Sequence, residues 1–575
     1  MKKYIFPLFV SFSLFFACTD MNLAPLSEGS SESWYSNETE INMSLNYLYF
    51  WRFWDIDPDP LNYSNMGWRD SWSDDFSNRN IVSPFSSGTL NAQTGQVTNL
   101  WRIYYTCIAA CNNLIERLVN PNDALTDAKR EQFLAEARFT RAAQYSKLIF
   151  HWGDVPYLDK IVTIDEAFAM GRTNKTEVLN HIYEDFDYAA AHLPISYASS
   201  VNQKATKGAA LALKARIALY CHDYQTAKKA AKDCIDLGVY KLFSDFSSMF
   251  SSSNKNMVES IMAIPRSIEL NVFTATGIAM QPLPRTASGN SYFWPSWDLF
   301  YSFLCTDGLP VDKSPRFDPK NPFENRDPRC AATIVEFNTS WGGYMYYPHP
   351  DSLTTIQLST GNRVQNNDTR SVTEWASWTG LIWKKRIDDD WFGNFMSDPD
   401  HIVIRYADVL LIYAEAKIEL GELDETVLSA MNQVRARAYG VTEGETTKYP
   451  AIGMASQNEL RKTLRIERRM EFAFEGLRYN DLIRWKLAEK ALNLPIYGML
   501  DLVEQKEKII NPGLWFLPET APVDEDGISD FQPLLEKGYA RVLALRSFDK
   551  NKHYLWPIPS TEVIINENMT QNPNY

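Results

Sequence analysis

The chain has 575 residues, a formal net charge of −14 at pH 7 and 45% hydrophobic residues. A nucleic-acid-binding protein needs a basic face, and this acidic composition does not favour one. Aromatic residues make up 13% of the chain and include 17 tryptophans. Part of that content is expected in the core, and a surplus in polar loops is what a sugar-binding surface needs.

The first 17 residues predict an export signal. Lys2 and Lys3 precede a short apolar run over 4–17, which is the pattern of a secretory signal peptide. The run is too short for a transmembrane helix, which needs roughly 20 apolar residues. It ends at Cys18, where a bacterial lipoprotein carries its acyl chains, although Phe15 stands where such signals usually have Leu. We predict a lipid anchor at Cys18; the alternative is an ordinary signal with a chance cysteine.

Residues 18–40 are rich in Ser and Glu and predict a flexible tether. The following region, 41–240, indicates a series of helices because apolar residues recur at steps of three and four. The predicted helices are 97–118, 128–150, 174–193, 207–220 and 224–237.

Residues 241–400 are rich in Ser, Pro, Gly, Asn and Trp and have weak periodicity. An irregular segment of this length inside a compact domain is uncommon unless it has a function. We therefore predict short strands, short helices and ligand-binding loops here. Helical patterns return in 401–575, at 402–420, 424–438, 457–474 and 479–490, and the last 75 residues are irregular.

Two stretches resemble tetratricopeptide hairpins, in which small residues allow two helices to approach closely. In the first, 207–237, the small positions are Ala215, Ala227 and Ala231. The second stretch is 410–438. The predicted fold class is mainly α, a tetratricopeptide-like α-helical hairpin scaffold with long irregular loops and short-strand insertions.

Known catalytic and cofactor motifs are not found. The sequence has no GxGxxG, GxxxxGK[ST], GxSxG or HExxH, and its seven histidines have no metal-ligand spacing. Asp388-Asp389-Asp390 lacks the spacing of a calcium loop and indicates a solvated charge run. The six cysteines after Cys18 contain no CxxC, and most are predicted to be small buried residues. We therefore predict no metal and no cofactor.

Three glutamates recur every four residues, Glu467, Glu471 and Glu475, and so share one helix face. Carboxylates one turn apart lie at about the separation of a retaining glycosidase pair. Arginines surround them in the sequence, and a guanidinium neighbour keeps a carboxylate ionised, which harms a general acid. Ion pairs that join helices are the favoured interpretation, with catalysis as the alternative.

Four loops combine tryptophan or tyrosine with polar side chains, the composition of a surface that stacks on a sugar ring and hydrogen-bonds its hydroxyls. The alternative is that these rings fill gaps between loops and helices. The loops contain Trp68, Trp72, Asp74, Asp75 and Arg79; Tyr292, Trp294 and Trp297; Trp341 and Tyr344; and Trp375, Trp378 and Trp383.

Six segments, in this order along the chain, resemble the SusD/RagB family of surface nutrient-binding lipoproteins. They include the Gly-Asp-Val-Pro signature at 153–156 and the closing PIP…QNP-Y signature at 557–575. The segments are 135–158, 214–242, 321–330, 404–438, 465–485 and 554–575.

This resemblance implies a protein anchored by Cys18 to the outer membrane and facing the exterior. It implies a partner, a SusC-like TonB-dependent β-barrel on which the chain sits as a hinged lid, and an oligosaccharide ligand with no catalysis and no cofactor. In sugar-binding members the contacts with the ligand come from loops before the first long core helix and from the insertion before the Arg-Asp-Pro-Arg segment, which is 326–329 here. The residues predicted to bind ligand are Trp68, Trp72, Asp75, Arg79, Tyr292, Trp294 and Trp341.

Three alternatives remain open at this point. A peptide-binding member of the same family would share the scaffold and the partner. A secreted helical glycoside hydrolase would use the acidic pairs, and a pure scaffold would organise partners through its helices without a small ligand.

Overall fold

The computed structural model describes residues 35, 37–54, 69–78, 82–119, 125–197, 203–274, 276–388 and 391–575. The predicted signal peptide and Cys18 lie outside these residues, as does most of the predicted tether. Its last three residues belong to the first helix, α1. No helix within the described ranges is long and apolar enough to cross a membrane.

The first part of the chain is helical, as predicted, and its long helices agree with the predicted ones to within a few residues. The helices are α1 (Glu38–Tyr47), α2 (Pro84–Ser87), α3 (Gly95–Val119), α4 (Asp127–Trp152), α5 (Ile164–Ala169), α6 (Lys175–His192), α7 (Lys207–Tyr220) and α8 (Tyr224–Ile235). Side-chain caps fix several helix starts: Thr126, Thr206 and Asp223 each accept a backbone N–H of the first turn.

The second part of the chain contains twelve further helices in the described residues, most of them short. They are α9 (Thr276–Ala279), α10 (Trp297–Ser302), α11 (Pro328–Thr333), α12 (Trp391–Asn394), α13 (Tyr406–Glu419), α14 (Glu425–Ala438), α15 (Gln457–Phe472), α16 (Arg478–Arg484), α17 (Ala488–Ala491), α18 (Leu502–Gln505), α19 (Gln532–Glu536) and α20 (Ser560–Ile565). A π-helical turn, Lys506–Ile510, continues α18.

In the part of the chain that the structure describes, ten short strands form antiparallel pairs. They are β1 (Phe76–Asn78), β2 (Ser260–Ile264), β3 (Phe293–Pro295), β4 (Ser340–Trp341), β5 (Tyr344–Met345), β6 (Thr354–Ile356), β7 (Arg363–Gln365), β8 (His401–Arg405), β9 (Ile496–Gly498) and β10 (Arg541–Ala544). The pairs are β1–β3, β2–β8, β4–β5, β6–β7 and β9–β10.

Two predicted helices need correction. The prediction of a helix from 402 is wrong by four residues at its start, because 401–405 forms β8 and α13 begins at Tyr406. The predicted helix 479–490 is two helices, α16 and α17, because the chain turns at Lys486, whose φ of 57° lies in the left-handed region.

The long helices form one row in which α3, α4, α6, α7, α8, α13 and α14 each pack on the next. Helix α13 packs on α8, although about 170 residues separate them in sequence. The intervening segment leaves and rejoins the row where β2 pairs with β8. Ala215, Ala227 and Ala231 are fully buried between these helices, which confirms the predicted close approach.

Two hydrophobic cores meet at α15. The larger core runs from Ile41 to Met569 and fills the helical row. The smaller core lies within the irregular part of the chain. Leu460 and Leu464 of α15 belong to the larger core, and Met470 belongs to the smaller one. Helix α15 therefore joins the helical scaffold to the segment between α8 and α13, residues 236–405, which we call the insertion.

Buried ion pairs surround the middle of α15, and we call them the α15 charge network. Arg329 of α11 contacts Glu467 at 2.7 Å and Glu471 at 3.1 Å, with its side chain fully buried. Arg405 of β8 contacts Glu471 at 2.6 Å. The remaining pairs are Arg435 with Glu467, Arg437 with Glu471 and Glu259, Arg405 with Glu259 and Glu475, and Lys385 with Glu475.

The opposite face of α15 is also paired. Arg468 contacts Asp408 of α13 at 2.7 Å and Asp481 of α16 at 3.2 Å. Arg469 contacts Asp75 at 2.7 Å. The predicted ion-pair role of the glutamates is confirmed, since Glu467 and Glu471 are 0% exposed and paired with arginine.

The cations of these pairs keep the buried carboxyls ionised. Burial alone would raise the pKa of the Asp408 carboxyl, but the charges of Arg216 and Arg468 outweigh it and hold this pKa at about 2. The same balance with three guanidiniums keeps the pKa of Glu471 well below its usual range. Such groups stabilise the fold only while they are charged.

We therefore expect the protein to lose stability as the pH falls from about 4 towards 2. A carboxyl whose pKa is lowered in the folded chain contributes fully above its unfolded pKa of roughly 4, and the contribution is lost on protonation. For Asp408 the shift from 3.8 to about 2 corresponds to on the order of 2 kcal/mol of unfolding free energy. Urea unfolding followed by tryptophan fluorescence at stepped pH measures this loss.

Two other buried carboxyls act in the opposite sense. Burial raises the pKa of Asp70 to about 7 and that of Asp298 to about 6, so their contribution is present below roughly pH 4 and lost as the pH rises above it. Maximum stability should therefore lie on the acid side of neutrality.

The control is Asp408→Asn, whose urea midpoint should fall less steeply below about pH 4. A wild-type midpoint that stays constant below that pH, or a variant slope equal to that of the wild type, would contradict the account.

Candidate ligand-binding surface

The two loops that the sequence singled out first lie side by side. Strand β1 pairs with β3, so that Asn78 lies opposite Phe293 and Phe76 opposite Pro295. The pairing is extended by Ser296, whose N–H donates to the carbonyl of Asp75 at 3.0 Å. Segments more than 200 residues apart in sequence therefore meet at one edge of the insertion.

Trp72 and Asp75 are inside the protein. Trp72 is 9% exposed and packs edge-on against Tyr479 and Trp556. Asp75 is 0% exposed and accepts from Arg469 at 2.8 Å. We expected both to contact ligand, and their burial corrects this: Trp72 belongs to the larger core and Asp75 to the ion pairs of α15.

Trp294 is also buried, at 0% exposed, and its indole N–H donates to Ser291 at 2.9 Å. It forms a small separate core with Val335, Tyr346 and Ile382. The expectation that Trp294 stacks on ligand is therefore corrected as well. Its position still matters, because Trp341 and Trp378 pack against this small core from outside.

Trp378 is half-buried and lies beside two guanidiniums. Its ring centroid is 6.0 Å from that of Trp294, and the Cζ atoms of Arg541 and Arg370 lie 5.2 and 5.9 Å from it. Both arginines also contact the carboxylate of Asp501, which is 66% exposed. Cation–π contacts and an exposed carboxylate thus surround one indole.

Trp375 lies three residues before Trp378 and is 43% exposed. The carbonyl of Glu374 accepts the indole N–H of Trp378 at 2.9 Å, which fixes the loop between the two rings. We call Trp341, Trp375 and Trp378 the aromatic surface.

Trp341 is half-buried at the edge of the β4–β5 hairpin. Its ring meets Phe392 edge-on at 5.6 Å, and the ammonium of Lys384 lies 5.9 Å from its centroid. The indole N–H is buried and has no hydrogen-bond acceptor among the described residues. Of the predicted ligand-binding residues, Trp341 is the one described tryptophan that is partly exposed.

The other predicted residues divide into two groups. Tyr292 is half-buried directly before β3, and its backbone N–H donates to Gln281 at 2.9 Å. Trp68 and Arg79 lie outside the described residues. Trp375 and Trp378 belong to the stretch EWASW, one of the four aromatic loops in the sequence, but the predicted ligand-binding residues lie in the other three loops.

A buried carboxyl and a buried phenol hold the loops beneath this surface. Asp368 accepts the backbone N–H of Arg285 at 2.6 Å, and burial raises its pKa. Burial likewise raises the pKa of Tyr346, whose hydroxyl donates to the carbonyl of Gly380 at 2.8 Å. These groups have local partners, so they position the aromatic surface.

The arrangement suits binding. Partly exposed indoles beside guanidinium and carboxylate groups match a ligand that has an apolar face and a polar rim. Within the described ranges, no group of three or more His, Cys, Asp or Glu side chains is placed to hold a metal ion. Asp388 accepts from Ser251 and Ser252, and Asp389 and Asp390 lie outside the described residues.

Solved structures and sequence relatives with the same organisation are known. A SusD-like carbohydrate-binding protein from Bacteroides fragilis is 28% identical with a TM-score of 0.76, covering 93% of this chain and 99% of that one. A laminarin-binding SusD-like protein has a TM-score of 0.59 at 19% identity, covering 94% and 100%, and shows the shared fold alone.

Among sequence relatives, SusD-like protein P2 of Formosa agariphila is 24% identical over the full length of both chains. SusD-like protein P25 of the same organism is 25% identical over 71% of this chain and 75% of its own.

Two family models match separate parts of the chain. One, described as starch-binding and associating with the outer membrane, matches residues 60–219. The model of the SusD family matches residues 255–575, which include the aromatic surface, α15 and the closing signature. That match spans more than half of the sequence, and this chain belongs to the SusD family.

Proposed function

We propose that this chain is a cell-surface lipoprotein that captures oligosaccharides and acts as a lid on a SusC-like TonB-dependent transporter, without catalysis of its own. The observation that carries the binding part is the aromatic surface, with Trp375 43% exposed beside Trp378 and its two arginines. The name of the Bacteroides fragilis relative supports a carbohydrate ligand.

Sugar binding uses the two features that this surface combines. The apolar faces of pyranose rings stack on flat aromatic side chains, and their hydroxyls accept from guanidiniums and donate to carboxylates. Asp501 is ion-paired with Arg541 and remains largely exposed, so the pair is available to hydroxyl groups.

The proposed contact residues are Trp375 and Trp378 together with Trp341, Tyr292, Trp68 and Arg79. The last two remain proposals from the sequence alone. A glycosidase that uses Glu467 and Glu471 is disfavoured, because both carboxylates are buried and paired with arginine, and a general acid must present a proton to its substrate.

The proposed location is the outer face of the outer membrane, with acyl chains on Cys18. The outer-membrane description of the matched family model supports this location. The partner and the lid motion come from the family resemblance. A tether of about 20 residues after the anchor would let the body swing without leaving the membrane.

Removal of indoles from the aromatic surface should weaken glycan binding. We expect Trp375→Ala and Trp378→Ala each to lower affinity for the bound polysaccharide about tenfold, since a lost stacking contact costs on the order of 1 kcal/mol or more. Affinity electrophoresis across a panel of neutral and charged polysaccharides measures this. The matched control is Tyr47→Ala, which removes a 48% exposed ring from α1 and should bind as the wild type does.

Circular dichroism should be unchanged in all three variants. Wild-type retention in both tryptophan variants would contradict the site. Binding of peptides in place of every polysaccharide would favour the peptide-binding alternative, and release of sugar products by pure protein would overturn the non-catalytic assignment.

The anchor and the partner are tested by extraction. Mild detergent should recover the chain together with a large β-barrel protein, and labelled fatty acid should appear on the wild type but not on Cys18→Ala. Cys221→Ala is the control, because it removes a half-buried thiol of the α7–α8 turn and should keep the label. Recovery of the chain alone would argue against the lid, and label that persists in Cys18→Ala would argue against the anchor.

A further inference from the structure

A second candidate site lies far along the chain from the aromatic surface, in the helical row. A groove with a volume of about 520 Å³ opens between the end of α4, the start of α6, the α7–α8 turn, the end of α16 and the C-terminal tail. Trp341, Trp375 and Trp378 do not line it. Its size is within the range of small-molecule sites, roughly 300–1,000 Å³.

The groove is lined by basic side chains. Arg172, Lys175, His222 and Lys486 all border it. Neither lysine forms an ion pair in the part of the chain that the structure describes. Arg172 donates to neutral oxygens, among them the carbonyl of Asp154 at 2.8 Å and the amide oxygen of Asn572 at 2.6 Å.

Negative charge in the groove is sparse. Asp154 is the one carboxylate among the lining residues, and its Oδ1 accepts the backbone N–H of Lys175 at 2.7 Å. Arg484 also lines the groove but is already paired with Glu415 and Asp481. A local excess of positive charge is unusual in a chain of net charge −14, where the arginines around α15 are matched by carboxylates.

The basic groups repel one another. Burial and then the charge of Lys175 lower the pKa of Lys486. Burial and the charges of Arg484, Lys175 and Lys486 lower the pKa of His222. A bound anion would relieve this repulsion.

Two of these side chains lie directly after helix ends, in the left-handed region of backbone conformation. His222 and Lys486 follow the ends of α7 and α16 with φ of 61° and 57°, a position where glycine is the least strained residue. Glycine with a positive φ follows three other helices, α8 at Gly238, α13 at Gly421 and α14 at Gly440, whereas α15 is followed by Phe474 with φ of 61°. Glycine at either position would therefore be compatible with the backbone.

Aromatic groups complete the lining. The ammonium of Lys486 lies 3.7 Å from the ring centroid of Tyr554, and Phe150 and Tyr220 border the groove. Charged heads above aromatic rings suit a ligand that carries an anionic group on a partly apolar frame. A sugar with a carboxylate or a sulfate ester has this chemistry.

We propose that this groove is a second binding site, which takes an anionic saccharide unit, such as a hexuronate or a sulfated sugar, with Lys175, Lys486, His222 and Arg172 around the acidic group. The choice of a saccharide rests on the proposed glycan-binding function. The choice of an anion rests on the groove alone.

The test compares two trisaccharides that differ in charge, trigalacturonate and galactotriose of the same linkage, by calorimetry on the full mature chain in detergent. A Trp375→Ala/Trp378→Ala background weakens the aromatic surface, and variants of the groove made in this background report on the groove. We expect trigalacturonate to bind at least about tenfold more tightly than galactotriose, with affinity that falls as salt is added.

The site variants are Lys175→Gln and Lys486→Gly. The second removes the charge and places glycine at a left-handed position, so it should fold at least as well as the wild type. Each should lower trigalacturonate affinity about tenfold. Lys229→Gln is the control, because it removes an exposed lysine of α8 that pairs with Asp233, and it should bind as its parent does.

Equal affinity for the two trisaccharides, or unchanged binding in both site variants, would overturn the proposal. Inorganic sulfate that binds as tightly as trigalacturonate would overturn the saccharide part of it. The proposed glycan-binding function is tested separately, by the retention of neutral polysaccharide by the chain with an intact aromatic surface. Loss of that retention would count against the glycan-binding function and not against the groove.

Discussion

The structure depends on one constraint: charged side chains that are removed from water must find opposite charges. Helix α15 carries Glu467 and Glu471 on one face and Arg468 and Arg469 on the other, and all four are buried. Their partners come from the insertion, from α13, α14 and α16, and from the segment before β1. All of these segments must therefore be in place for the four buried charges to be paired, which couples the scaffold and the insertion in one folded unit.

This coupling explains how irregular segments can present a defined surface. The insertion has short strands and a small core of its own, and such loops are usually the mobile part of a protein. Arg329, Lys385 and Arg405 attach it to α15 at three separate points. Trp378 is held in place by packing, since it contacts the buried ring of Trp294 from outside. The surface we propose for glycans thus rests on a base that is attached to the scaffold.

Much of the scaffold was predictable because helices leave a local signal. Asn174, Thr206 and Asp424 mark helix starts, and apolar spacing marks the buried faces. The start of α13 was missed because HIVIR fits both a strand and the first turn of a helix, and only pairing with β2 decides between them. The site was less predictable. Trp72, Trp294 and Trp378 have similar polar neighbours in sequence, whereas their burial depends on partners such as Trp556 that lie far along the chain.

The central claim is that the α15 charge network holds the insertion to the scaffold. Hydrogen–deuterium exchange of Glu471→Gln, compared with the wild type, tests it most directly, because a lost member of a buried ion pair costs about 3–5 kcal/mol. The control is Glu519→Gln, which breaks an exposed pair with Lys537. The account predicts faster exchange in α11 and in residues 374–387 of the variant, with α3 to α8 protected as before and the control unchanged. Wild-type protection of the insertion, or an equal loss of protection in every helix, would contradict it.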